Sequence, residues 1–103
     1  MRHFLKETDF SRAEMAAIFK SAAALKKGRA SKRVPKPLSE QSWGLIFFKK
    51  STRTRVSFQV GVWELGGHPL VLNADDLQLT RGETEADTAR VLSRFLHGVV
   101  IRS

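Results

Sequence analysis

The chain has 103 residues, 42% of them hydrophobic, with 18 basic against 10 acidic side chains and a net charge of +8. That length holds one domain with a modest core, and the composition is that of a globular chain, not a disordered one. Cysteine is absent, so disulfides and thiolate sites are excluded; the three histidines, His3, His68 and His97, have no metal-ligand spacing, so no structural zinc is expected.

In chain order, residues 1–10 read as an arm without the apolar centre of a signal peptide, and no apolar run approaches a membrane span. Both point to a cytoplasmic protein with no membrane partner. Ser11 with Glu14 three residues on forms a capping box, and Phe10 with Met15 fits a hydrophobic staple. Met15, Ile18, Phe19, Ala22 and Leu25 then recur at helical spacing, which predicts a helix over 12–27 with Gly28 just past its end. Six basic residues fall between Lys26 and Lys36, with no acid from Met15 to Ser39. Nucleic-acid binding is the sharp reading of that run. A solvated helix end and connector is preferred, because no aromatics interleave and Pro35 and Pro37 break the segment.

Trp43 to Phe48 is a short continuous apolar run, as expected of a strand buried on both faces. It leads into Lys49-Lys50-Ser51-Thr52-Arg53-Thr54-Arg55, two hydroxyl-bearing threonines, a serine, two guanidiniums and two ammoniums in seven residues. Residues 56–65 are ambiguous. Val56, Phe58, Val60 and Val62 alternate with Ser57, Gln59 and Gly61 as in a strand, while helical spacing gives two apolar faces, Val56/Val60/Trp63 and Phe58/Val62/Leu65. The pattern leans to strand; the basic hydroxyl loop before it makes most sense at a helix N-terminus. A second strand begins at His68-Pro69 and centres on Leu70-Val71-Leu72. Thr84 with Asp87 is expected to cap a third helix, striped by Thr88, Val91, Leu92 and Phe95 and ended by Gly98, before a third strand over Val99 to Ile101. This alternation predicts an α/β class with a parallel sheet flanked by helices, ligands binding beyond the carboxyl ends of the strands. Ser51 to Arg55 follows the first strand and Arg102 the third, on one sheet edge.

A phosphate dianion calls for backbone N–H donors, a helix N-terminus and bidentate guanidiniums. Ser51 to Thr54 offers all three if a helix starts near Thr52, with Arg53 at the ligand and Arg55 on another side. The loop lacks the spaced glycines of a Walker A motif and is no dinucleotide fingerprint.

Phe47 to Phe58, carrying Ser51-Thr52-Arg53-Thr54-Arg55, resembles the carbamoyl-phosphate signature of the aspartate/ornithine carbamoyltransferase family. Gly82-Glu83-Thr84 followed by Asp87 to Arg94 is similar to its ornithine branch, as is Lys49. The resemblance implies that 56–65 is a helix and that residues 1–103 are an N-terminal carbamoyl-phosphate-binding domain, incomplete, with the ornithine-binding domain absent. It implies that Ser51, Thr52, Arg53, Thr54 and Arg102 hold carbamoyl phosphate, with Arg53 and Arg102 the catalytic pair, and that Gln78 reaches the site of a neighbouring subunit. The implied reaction carbamoylates the side-chain amine of ornithine to citrulline in arginine biosynthesis, without metal or cofactor. The full-length protein is expected to be a homotrimer or a multiple of trimers, and the 103-residue chain alone inactive. Aspartate, acetylornithine or putrescine as the amine, or a non-catalytic anion-binding fragment, are the alternatives. Phe48, where the ornithine branch commonly has Glu, and His97, where Asp is usual, depart from the pattern.

Overall fold

A computed structural model describes residues 3–48, 52–73 and 85–102. The chain divides into two compact units, residues 1–34 and 35–103.

The first unit holds a 3-10 turn, Glu7–Asp9, and helix α1, Arg12–Ala30. Ahead of α1, Phe10 stacks on Phe4 with ring centroids 5.1 Å apart. The capping box forms as expected: Glu14 N donates to Ser11 Oγ at 3.1 Å, and Ser11 N donates to Glu14 Oε1 at 2.9 Å. The helix outruns its predicted end by three residues, because Gly28 is not the residue past the terminus. Lys32 takes that left-handed seat, at φ 59°. Lys32 N donates to Arg29 O at 3.2 Å and Arg33 N to Gly28 O at 2.8 Å, the paired bonds of a Schellman motif. Gly28 serves that closure differently: a Cβ there would lie 2.6 Å from the Arg33 carbonyl oxygen.

The second unit is a three-stranded parallel sheet of order β2-β1-β3: β1 is Ser42–Phe47, β2 His68–Asn73 and β3 Gly98–Arg102. Helix α2 is Thr52–Glu64 and α3 is Glu85–Ser93. Strand β1 is central, which accounts for its unbroken apolar run: Gly44 to Phe47 are all buried, Leu45 completely. One sheet face presents Leu45 and Phe47 to Val62 of α2, with Leu38, Trp43, Val71 and Val100 packed round them. On the other face, Gly44 leaves room for Leu96: a Cβ at Gly44 would lie 2.7 Å from its Cδ1.

Residues 52–64 are helical, against the strand lean of their alternating pattern. Of the two apolar faces, the one with Phe58, Val62 and Leu65 is covered at Val62 and in part at Leu65, with Phe58 exposed. Val62 is buried, whereas Val56, Val60 and Trp63 are exposed, Trp63 at 69%. The helix ends in a second Schellman motif: Gly66 N donates to Trp63 O at 3.0 Å and Gly67 N to Val62 O at 2.9 Å, with Gly66 at φ 94°. Residues 36–39 close over that end. Leu38 N donates to Leu65 O at 3.0 Å, and Lys36 Nζ donates to Glu64 O at 2.6 Å, an ammonium at the negative pole of the helix.

The third helix stops earlier than expected, at Ser93, and Gly98 begins β3 instead of ending the helix. A Cβ at Gly98 would fall inside the Trp43 indole, so this glycine marks where a strand passes beneath a ring. The predicted stripe also divides: Thr88 is buried, whereas Val91 and Phe95 are exposed. The expected Thr84 cap lies outside the described residues.

Candidate functional site at the carboxyl edge of the sheet

Strand β1 delivers the chain to the start of α2, and the register of β3 delivers Arg102 to the same place. Phe47 pairs with Arg102, and Phe48 N donates to Arg102 O at 3.0 Å, so the ladder extends one bond beyond β1. Side chains alternate along a strand. Arg102 therefore shares the face of Val100, Leu45 and Phe47, the face that α2 covers. There Arg102 Nη1 donates to Thr54 Oγ1 on the first turn of α2.

This contact joins the two features that the sequence placed on one edge. Thr54 is half-buried, while Thr52, Arg53 and Arg102 are exposed. Arg53 and Arg55 stand about 200° apart around the helix axis, so they serve different sides. Thr54 O also accepts from Ser57 Oγ at 3.1 Å. A guanidinium carries five N–H donors, of which the bond to Thr54 uses one, so Arg102 has more to offer an anion. Ser51 and Gln78 lie outside the described residues. Among the described residues no group of three His, Cys, Asp or Glu side chains could hold a metal ion, and no helix is long and apolar enough to cross a membrane.

Two residues near the site's supports carry more than the sequence suggested. Lys36, read as part of the basic connector, anchors the far end of α2. His97 accepts a hydrogen bond at Nδ1 from Ser42 N at 3.1 Å, and its own N–H donates to Ser42 O at 2.8 Å. No local signal marks either, since both partners are distant in sequence.

The arrangement has the chemistry an anion calls for: a helix N-terminus after the central strand, with two arginines from different elements near it. A family model described as "Aspartate/ornithine carbamoyltransferase, carbamoyl-P binding domain" matches residues 2–103, and the chain belongs to that family. It is 52% identical over its whole length to the ornithine carbamoyltransferase of Methanosphaera stadtmanae, of which it covers 33%. Among solved structures, it superposes on ornithine carbamoyltransferase from Pyrococcus furiosus with a TM-score of 0.90 and 46% identity, covering 98% of this chain and 32% of that one. The catalytic subunit of M. jannaschii aspartate transcarbamoylase gives a TM-score of 0.85 at 29% identity, covering 99% of this chain and 34% of that one. The chain spans about a third of the length of the curated relatives it matches.

Proposed function

We propose that this chain is the carbamoyl-phosphate-binding part of an ornithine carbamoyltransferase, and that the site at the start of α2 binds carbamoyl phosphate. The observation that carries the reading is the bond from Arg102 to Thr54, which joins the third strand to the signature helix at one sheet edge. The higher identity to ornithine than to aspartate enzymes, 46% against 29%, supports ornithine as the amine.

In this reading Ser51, Thr52, Arg53 and Thr54 hold the phosphate through hydroxyls, a guanidinium and the backbone donors of the helix start. Arg102 spans phosphate and carbamoyl oxygen, and Gln78 enters the site of a neighbouring copy in a homotrimer. The uncharged δ-amine of ornithine attacks the carbonyl carbon. A C–N bond forms, the C–O bond to phosphate breaks, and the amine proton is lost as phosphate departs. Arg53 and Arg102 offset charge on the carbonyl oxygen and the leaving group, so electrostatic stabilisation and positioning supply the catalysis. In this reading ornithine is bound by a further domain, one that this chain does not include. The product, citrulline, fits a cytoplasmic role in arginine biosynthesis.

Calorimetric titration tests the reading. Arg53→Ala is expected to weaken carbamoyl phosphate binding by about 10- to 100-fold, the loss of charge-assisted bonds. Lys27→Ala, in the basic run, leaves it unchanged. Absence of any heat from carbamoyl phosphate with the unmodified protein, together with salt-dependent binding of a DNA duplex that Lys27→Ala weakens, would overturn it in favour of a polyanion-binding fragment.

A further inference from the structure

Strand β3 is five residues long, and between Gly98 and Arg102 it carries only Val99, Val100 and Ile101. Register in a sheet is ordinarily set by which residues are apolar, because a one-residue slip exchanges the two faces. Three successive aliphatic residues give no such preference: either face accepts any of them. Here Val100 packs with the α2-side core, while Ile101 on the other face is 62% exposed. A slip would bury Ile101 at little cost and turn Arg102 away from Thr54.

Register must therefore come from the strand's ends. At the site end Phe48 N donates to Arg102 O, and the Arg102 guanidinium itself donates to Thr54 Oγ1. At the opposite end stand two devices. Trp43 lies against Gly98 so closely that no other residue of β3 could take that place. His97 and Ser42 exchange two hydrogen bonds, the histidine accepting at Nδ1 and donating from its backbone. The Trp43 indole is itself held, Nε1 donating to Gln41 Oε1 at 3.0 Å.

We propose that Trp43 and His97 are positioning residues for Arg102: they fix the register of β3 at its amino end and so present the guanidinium to the anion site about 13 Å away. The proposal rests on the reading of that site as a carbamoyl phosphate site. An alternative acceptor of suitable reach, such as a carboxylate, should replace the imidazole; an aromatic ring without an acceptor should not.

The experiment has a ligand arm and a ligand-free arm. In calorimetry with carbamoyl phosphate, His97→Phe is expected to weaken binding about 3- to 10-fold, and His97→Asp to restore it to within about twofold. In an Arg102→Ala background His97→Phe should change affinity by less than about twofold, because its effect runs through Arg102. A merely structural role would lower the melting temperature without this dependence on Arg102. In the ligand-free arm, amide exchange at Phe48 reports the far end of the register: His97→Phe should speed it about tenfold more than exchange at Leu72 on β2, as should Trp43→Leu. Should the unmodified protein fail to bind carbamoyl phosphate, the functional reading falls and the exchange arm alone decides the register. Unchanged relative exchange at Phe48 in both variants would overturn the proposal, as would equal affinity losses from His97→Phe with and without Arg102.

Discussion

Helices α1 and α2 end in the same hydrogen-bond motif, built from opposite resources. At the end of α1 the left-handed seat is held by Lys32, and both closing bonds come from residues within four positions of it. At the end of α2 the seat is held by Gly66, and Lys36 and Leu38 reach across from nearly thirty residues away to complete it. A side chain with a Cβ tolerates the left-handed region at a cost of about 1–2 kcal/mol. Lys32 accepts that cost at an exposed turn. Gly66 has a second constraint, since an added Cβ would lie 2.9 Å from Lys36 Cβ and 3.1 Å from Ser39 Oγ. Glycine is thus a conformational preference at one helix end and a packing requirement at the other.

Substitution at the two seats should separate the two helix ends most strongly. Gly66→Ala combines left-handed strain with crowding against residues 36–39, and is expected to destabilise the second unit by about 2 kcal/mol or more. Lys32→Gly removes strain and adds none, so α1 should gain about 1 kcal/mol. Amide exchange reads both. Gly66→Ala should accelerate Val62 and Gly67, and Lys32→Gly should slow Lys32 and Arg33. Equal and opposite effects of the two changes would mean that packing over α2 adds nothing to the backbone preference.

The same contrast explains what was legible in the sequence. Ser11, Glu14 and the spacing from Met15 to Leu25 are local signals, and α1 starts where they say. Gly44 to Phe47 announced a central strand because burial on both faces leaves no polar positions. The helical state of α2 was not legible in Val56 to Val62, whose alternation suits a strand. Its helix is set by the strand before it, the sheet beneath Val62, and the strap of residues 36–39, none of which is encoded locally. Gly98 looks like a helix end for the same reason: the residue that demands glycine there is Trp43, 55 positions earlier. At the site, topology alone put Arg102 and the signature loop on one edge. That the two meet through Thr54 depends on the register of β3, which its aliphatic run does not specify.

A smaller effect tests how self-contained α1 is. Ser11→Ala removes the side-chain acceptor for Glu14 N and half of the capping box, at about 1 kcal/mol. Exchange at Glu14 should rise about fivefold, while exchange at Leu45 and Val71 in the sheet stays constant. A matching rise at Leu45 would mean that the helix start is coupled to the sheet, and that the local account of α1 is wrong.

The smallest expected effect is a gain, and it probes α2 where its sequence is least helical. Gly61 lies in the interior of the helix, at a negative φ, and a Cβ there meets nothing within 4 Å. Glycine in a helix interior costs roughly 0.5–1 kcal/mol relative to alanine, because the unfolded chain loses more freedom on ordering. Gly61→Ala should therefore raise the melting temperature by a few degrees and leave carbamoyl phosphate affinity unchanged, since the position is remote from the first turn. Val62 beside it anchors the helix to Leu45 and Phe47, so the substitution adds local preference to an element held by packing. A lower melting temperature would mean that some other surface of the protein lies against Gly61, with the exposed face of Val56, Val60 and Trp63 the first place to look for it.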